Sequence, residues 1–263
     1  MYTKIVNFLY LFVIIAFIIN VFYYCVFAIA VVRKRNDIAD IAWGMGFILV
    51  ALIGLVLMGN VSDRYLLTFF LVLLWGARLG TYIFFRNRKK GEDWRYQAWR
   101  KKWGKWWEIW AYLHVFLVQA WLLLIVAVPI IWLAAYGWQP LNYFDYLAVI
   151  IWTTGFLFES LGDYQLSRFK ANPKNRGQVM QTGLWAYTRH PNYFGEFLMW
   201  WRIIGLTLSV PEGLMTIVGP MTITYLLTRV SGIPMLEKKY ANNPDYQDYQ
   251  RRVSPFVPLP PKK

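Results

Sequence analysis

Long apolar runs separated by short basic segments constrain this chain more than any other feature of its sequence. The first run extends from about Ile5 to Val32 and stops at Arg33-Lys34-Arg35. A helix needs roughly 20 apolar residues to cross the hydrocarbon core of a bilayer. Of the 263 residues, 58% are hydrophobic and 16% are charged, whereas about 25% are charged in a typical soluble domain. The sequence therefore predicts an all-α, polytopic integral membrane helical bundle.

The apolar runs predict about seven transmembrane helices. Their approximate bounds are Ile5–Val32, Ile38–Gly59, Tyr65–Phe85, Ile109–Tyr136, Tyr143–Gly162, Tyr193–Val210 and Gly213–Gly232. The last two form a hairpin that turns at Pro211-Glu212-Gly213. Because no linker, low-complexity segment or repeat divides the chain, we expect one membrane domain over residues 1–263, with N-terminal spans in 1–136 and C-terminal spans and tail in 143–263.

The distribution of Lys and Arg predicts the orientation of these spans. The segments 33–37, 86–107, 163–190 and 236–263 carry three, nine, five and six basic residues. With about seven spans, all four segments lie on one side of the membrane, and the positive-inside rule makes that side cytoplasmic. The N-terminus is then outside the cell and the C-terminus inside. The net charge of +14 therefore indicates contact with anionic lipid, not with nucleic acid.

Metal binding and covalent catalysis are not indicated by the residue types present. Cys25 is the only cysteine, and His114 and His190 are the only histidines. A structural or catalytic metal centre needs several such ligands together. We therefore expect no metal and no thiolate cluster.

Several charged residues lie inside the predicted spans, where they are costly and usually functional. They are Asp40, Arg78, His114, Glu159, Asp163, Glu196, Arg202 and Arg229. Glu159 and Asp163 are four residues apart, and so are Asn192 and Glu196, so each pair shares a helix face. This placement fits a water-soluble cosubstrate that enters from the cytoplasm and a lipidic substrate in the bilayer. Pairing between helices is the structural alternative for each charged residue.

The segment from Gly183 to Glu196 combines the groups that bind phosphate. Its sequence is Gly-Leu-Trp-Ala-Tyr-Thr-Arg-His-Pro-Asn-Tyr-Phe-Gly-Glu. Pro191 favours the first turn of a helix, and a helix N-terminus attracts anions. Arg189 adds a bidentate donor and His190 a group that titrates near neutrality. The pattern predicts a site for a phosphate-rich cofactor, with Arg189→Ala expected to weaken cofactor binding while the fold stays intact.

These motifs resemble those of a bacterial-type membrane protein family of unknown function, DUF1295, which is related to steroid 5-alpha-reductases. The resemblance is carried by the segment 183–196 with Trp200-Trp201, and by further motifs along the chain. These motifs are Asp40-x-x-Trp43-Gly44, Gly91-Glu92-Asp93-x-Arg95-Tyr96, Glu159-x-x-x-Asp163-x-Gln165, Ser231-Gly232-Ile233-Pro234 and Tyr249. Arg202 stands where the family pattern has Gly.

The resemblance implies a reductase in a bacterial inner membrane that uses NADPH to reduce an enone-type double bond in a lipid or steroid-like substrate. Its N-terminal spans would face the substrate and its C-terminal half would hold the cofactor. The implied catalytic residues are Tyr82 as the phenol that polarises the carbonyl, with Asp40 or Glu159 as its acid partner. The candidate cofactor-binding residues combine positions that the resemblance implies with positions singled out by their residue types. They are Asp163, Arg168, Lys170, Tyr187, Arg189, His190, Asn192, Tyr193, Glu196, Tyr249 and Arg251.

A methyltransferase is the alternative function. Isoprenylcysteine carboxyl methyltransferases share an Arg-His-Pro-x-Tyr motif and bind S-adenosylmethionine in a C-terminal pocket. That cofactor has no phosphates, whereas the segment 163–190 carries several bases, including Arg168, Lys170, Lys174 and Arg176. These bases favour the phosphorylated cofactor NADPH.

Overall fold

The computed structural model describes residues 2–57, 61–88, 90–136 and 139–262, and the side chains of these residues from position 5 onward. Its α-helices are Tyr2–Arg33 (α1), Ile38–Leu57 (α2), Asp63–Asn87 (α3), Trp94–Trp103 (α4), Trp107–Ala111 (α5), Val118–Val126 (α6), Val128–Tyr136 (α7), Tyr143–Ala171 (α8), Pro191–Thr207 (α9), Val218–Tyr225 (α10), Ile233–Tyr240 (α11) and Pro244–Arg252 (α12). Pairing of the β type is limited, in this part of the chain, to an isolated bridge between Thr188 and Ser254. The all-α prediction is confirmed.

Long apolar helices confirm the prediction of a multi-pass membrane protein. Within the described ranges, six helical segments are long and apolar enough to cross a membrane: Ile5–Arg33, Ile38–Leu57, Asp63–Asn87, Trp94–Val126, Tyr143–Ala171 and Gly213–Tyr240. The sixth predicted span corresponds to α9, whose 17 residues lie at the lower limit for crossing a bilayer. Gly59, the predicted end of the second span, lies outside the described residues.

The helix contacts group the chain into two compact units. The first unit consists of residues 1–141 and 206–219, and the second of residues 142–205 and 220–263. The boundary at Leu141 and Asn142 falls between the predicted N-terminal and C-terminal spans. Whether the units behave as the single membrane domain expected from the sequence stays a prediction.

Small residues on α2 and α3 let these two helices pack closely in the first unit. A Cβ atom on Gly44 would lie 2.7 Å from the carbonyl oxygen of Gly76, a distance that only glycine tolerates. Beside this contact, the rings of Phe47 and Trp75 are 5.5 Å apart, edge to face, and both side chains are buried. Gly76 and Gly80 form a small-xxx-small pair, a pattern that lets a second helix approach closely, and the structure shows this close approach at Gly76.

Arg64 is an unexpected buried charge at the start of α3. The third predicted span begins at Tyr65, which places Arg64 in the preceding loop, but its side chain is fully buried. Its guanidinium donates to the carbonyl oxygen of Pro140 at 2.8 Å and to that of Gln139 at 3.3 Å. These bonds connect the segment after α7 to the first turn of α3. The contact could not be predicted from the sequence, because about 75 residues separate its partners.

In the basic segment around α4, two arginines form ion pairs with acidic side chains, whereas several lysines are exposed at the surface. Arg95 pairs with Asp40 at 2.9 Å and with Asp93 at 2.9 Å, and Arg100 pairs with Glu92 at 2.8 Å. The lysines Lys101, Lys102 and Lys105 are exposed, as are the indoles of Trp94, Trp99 and Trp106. This mixture of exposed indoles and lysines is typical of an interfacial segment at lipid headgroups.

Candidate functional site

The segment that precedes α9 forms the centre of the second unit. As predicted, Pro191 occupies the first position of α9. The residues immediately before it, Thr188, Arg189 and His190, are all buried. A loop is buried only when its polar groups find partners, and here the C-terminal part of the chain provides most of them.

Arg189 connects this segment to α11 and α12. Its Nε donates to Glu237 Oε1 at 2.8 Å and its Nη2 to the same oxygen at 2.5 Å. Its Nη1 donates to the carbonyl oxygens of Gln250, at 3.0 Å, and of Val253. The guanidinium is thus occupied by protein acceptors, which leaves little of its hydrogen-bonding capacity for a phosphate.

The C-terminal tail runs alongside the same segment and closes it from one side. The backbone N–H of Arg189 donates to Ser254 O at 2.9 Å, and the hydroxyl of Thr188 donates to Phe256 O at 2.8 Å. The ring of Phe256 packs edge to face on those of Phe194 and Phe197, at 5.9 and 5.3 Å. The tail is therefore packed in this unit as far as Phe256.

Helix α8 covers the start of α9. A Cβ atom on Gly162 would lie 3.2 Å from the backbone nitrogen of Asn192, and Gly162 O accepts a hydrogen bond from Trp185 Nε1 at 3.1 Å. The amide nitrogen of Asn192 is thus packed against α8. A ligand in this unit has to be sought beside the segment before α9 rather than on the amides of the helix.

Such a space exists as a cavity of about 680 Å³, within the roughly 300–1,000 Å³ typical of ligand pockets. We call it the larger cavity. The apolar and aromatic residues of its lining, which we call the aromatic wall, are Met180, Trp185, Leu236, Tyr240, Tyr246 and Tyr249. The polar and basic residues of its lining, which we call the basic wall, include Lys170, Asn172, Asn175, Arg176 and Gln178. Arg189 and His190 also line the cavity.

The aromatic wall is built by the spacing of tyrosines on α12 and its contacts with neighbouring segments. Tyr246 and Tyr249 are three residues apart and share a helix face; their rings lie 5.9 Å apart. The hydroxyl of Tyr249 donates to Trp185 O at 2.5 Å. Burial raises the pKa of Tyr246 to about 12 and also raises the pKa of Tyr249, so both phenols stay neutral at physiological pH.

His190 is a neutral group in this environment. Its ring stacks on that of Tyr193 at 5.4 Å, and Nε2 lies 3.6 Å from Oε1 of Glu237. Burial lowers the pKa of His190, and the carboxylate of Glu237 opposes this shift only in part. The titration near neutrality that the sequence suggests is therefore displaced to lower pH.

A smaller cavity of about 410 Å³ adjoins the larger one. It is lined by Tyr164, Gln165, Arg168, Phe169, Asn172, Asn175, Met180, Thr182 and Gly183. Gly183 has a φ of 63°, and its backbone lies directly under the side chain of Gln165, which accepts a hydrogen bond from Leu184 N at 3.0 Å. This contact holds the segment before α9 against α8.

The predicted cofactor residues of the second unit lie in the two cavities, on α8 and α9 away from the cavities, or at the surface. Lys170, Arg189, His190 and Tyr249 line the larger cavity, and Arg168 lines the smaller one. Asp163, Asn192, Tyr193 and Glu196 are on α8 and α9 and do not line either cavity; Asn192 donates to Asp163 at 3.3 Å. Tyr187 and Arg251 are exposed at the surface.

Glu237 and Tyr240 are the site residues that the sequence did not single out. Glu237 precedes Lys238-Lys239, so it reads as one member of a solvated charge run. Its partner Arg189 is 48 positions away in the chain. Only the hydrophobic face of α11, which also presents Leu236 and Tyr240 to the larger cavity, could have indicated that this short helix is packed.

The predicted catalytic residues are divided between the two units. Asp40 and Tyr82 belong to the first unit and Glu159 to the second. The phenol that meets Asp40 is Tyr96, which donates to Oδ1 at 2.6 Å, while Arg95 donates to Oδ2 at 2.9 Å. The Arg95-Tyr96 motif contained this signal, but 56 residues separate Tyr96 from Asp40.

Comparisons with known proteins identify a family and give no activity. A family model described as a protein of unknown function (DUF1295) matches residues 26–253. An uncharacterized protein of Schizosaccharomyces pombe is 28% identical over 225 residues, which cover 75% of this chain and 64% of the relative. The chain thus spans less than two thirds of that relative's length. No solved structure matches the chain.

Proposed function

The chain belongs to the DUF1295 family of membrane proteins of unknown function, and on that premise we propose that it is an NADPH-dependent reductase. The substrate is a lipid or steroid-like molecule with a carbon–carbon double bond conjugated to a carbonyl group. The observation that carries this proposal is the larger cavity of the second unit, with one aromatic and one basic wall.

The chemistry of the larger cavity fits a dinucleotide. Flat aromatic side chains such as Tyr246 and Tyr249 suit the packing of a base, because base and ring stack through their faces. Lys170 and Arg176 of the basic wall are exposed cations that suit phosphate oxygens. In this proposal the aromatic wall binds the ring system and the basic wall binds the phosphates, while Arg189 holds α11 and α12 beside the cavity through Glu237 and the carbonyl oxygen of Gln250.

NADPH, when bound, supplies the hydride, and the protein supplies placement and electrostatics. A phenol that donates a hydrogen bond to the carbonyl oxygen lowers the barrier by stabilising the charge that develops there. The resemblance implies Tyr82 for this role. The phenol of Tyr96 has its one hydrogen donated to Asp40 at 2.6 Å, and Arg95 donates to the same carboxylate.

A binding experiment tests the proposal without knowledge of the substrate. The detergent-solubilised protein is titrated with NADPH, NADH or S-adenosylmethionine while its melting temperature is followed. NADPH at one hundred times its Kd should stabilise the protein by about 2.7 kcal/mol. Tyr82→Phe should keep this stabilisation and should stop the consumption of NADPH by an enone substrate. Stabilisation by S-adenosylmethionine alone would replace the reductase proposal by the methyltransferase.

We also propose that the protein lies in a bacterial inner membrane with its N-terminus outside and its C-terminus in the cytoplasm. The asymmetric distribution of Lys and Arg between the loops supports this orientation. A reporter that is active only in the cytoplasm should be active when fused after residue 263 and inactive when inserted in the turn at 211–213. The opposite pattern of activity would refute the orientation.

A further inference from the structure

The two cavities of the second unit are neighbours with different cations. Both are lined by Phe169, Asn172, Asn175 and Met180, so the two cavities lie next to each other. Lys170, Arg176 and Arg189 line only the larger cavity, whereas Arg168 lines only the smaller one. The smaller cavity therefore has a cation of its own.

Arg168 is well suited to receive an anion from outside the protein. Its guanidinium has five N–H groups. Among the described residues, a single hydrogen bond from this guanidinium is seen, from Nη1 to the hydroxyl of Tyr164 at 3.3 Å. This contrasts with Arg189, whose donors are directed to Glu237 and to backbone carbonyls. Arg168 thus retains the paired donors that bind a phosphate in a bidentate manner.

The wall around Arg168 is ordered by contacts that do not involve its own side chain. Asn175 Nδ2 donates to Phe169 O at 3.0 Å, and Gln165 accepts from Leu184 N. Thr182 places a hydroxyl on the same lining. The smaller cavity is therefore a defined compartment with one guanidinium and additional polar groups.

We infer that the smaller cavity binds the 2′-phosphate of NADPH through Arg168 and so makes the protein select NADPH over NADH. This inference rests on the proposed function, in which the larger cavity holds the parts that the two cofactors share. The pyrophosphate common to both is assigned to the larger cavity, which is lined by Lys170 and Arg176. The 2′-phosphate is the one group that distinguishes NADPH, and an arginine is the usual means of accommodating it.

The test compares the affinities of both cofactors for the purified full-length protein and for Arg168→Gln. The substitution should raise the Kd for NADPH by about 10- to 100-fold, the range expected when a charge-assisted bidentate contact is lost. The Kd for NADH should stay within about twofold, an effect below 0.5 kcal/mol. Because Arg168 is exposed, the melting temperature without ligand should equal that of the unsubstituted protein.

Lys174→Gln is the matched control, since Lys174 is an exposed cation shortly after the end of α8 and lines neither cavity. It should leave both affinities unchanged. Equal affinities of the unsubstituted protein for NADPH and NADH, or equal weakening of both by Arg168→Gln, would overturn the inference and leave the reductase proposal standing. Failure of both cofactors to bind the unsubstituted protein would overturn the reductase proposal itself.

Discussion

Replacing Arg189 by alanine should lower the free energy of unfolding by about 3 kcal/mol or more, the cost typical of removing one partner from a buried ion pair. The side chain of Arg189 is 7% exposed and that of its partner Glu237 is 22% exposed, so the carboxylate regains only part of its hydration. The carbonyl groups of Gln250 and Val253 lose their donor as well. The measurement is denaturant or thermal unfolding of the protein in mild detergent micelles.

This expectation replaces the one drawn from the sequence, in which Arg189→Ala weakens cofactor binding and leaves the fold intact. Arg251→Ala is the control, because Arg251 is exposed on α12 and surface substitutions usually change stability by less than about 0.5 kcal/mol. If Arg189→Ala unfolded like the Arg251 variant, the assignment of Arg189 to packing would be wrong, and a ligand-binding role would be restored.

Replacing Gly195 by alanine should disrupt the contact between α8 and α9 within the second unit. A Cβ atom at Gly195 would lie 2.5 Å from the backbone nitrogen of Glu159 and would also collide with the carbonyl oxygen of Gly155. Backbone atoms cannot move aside as a flexible side chain can, so the helices have to separate. We expect a loss of stability of about 3 kcal/mol, at the upper end of the usual cost of overpacking.

Gly205→Ala on the same helix is the matched control for this substitution. Its new Cβ atom would meet Ala148 Cβ at 3.4 Å, an ordinary contact. Since alanine is favoured over glycine in a helix by about 0.5–1 kcal/mol, this variant should unfold at the same or a higher temperature than the unsubstituted protein. Equal stability of the Gly195 and Gly205 variants would contradict the close approach of α8 and α9.

Elements whose cause is local were predicted well from the amino-acid sequence alone. The apolar runs predicted α1, α2 and α3 to within a few residues, because the length of apolar sequence that crosses a bilayer is set by its thickness. Pro191 marked the first residue of α9 because proline is tolerated there. Gly76 marked a close helix contact, although its partner Gly44 could not be identified from one helix alone.

The candidate site was only partly predictable, because its contacts join distant parts of the chain. The bases at Arg168 and Lys170 were recognised by their charge, yet a charge run does not reveal which guanidinium is already paired. Arg189 meets Glu237 across 48 residues, and Asp40 meets Tyr96 across 56. Tyr82, the phenol that the resemblance implies, is therefore not the one that Asp40 contacts.

What the sequence determined by itself is that the chain is a multi-pass helical membrane protein with phosphate-binding residue types in its C-terminal half. Hydrophobicity, helix length and charge are properties of single segments, so they can be read without knowing the neighbours. Only the tertiary structure decided that Arg189 is engaged by Glu237, that α8 covers the start of α9, and that the cavities lie beside that start. A side chain binds a ligand or the protein according to which acceptors the fold brings within about 3 Å of it, and that proximity is absent from the linear sequence.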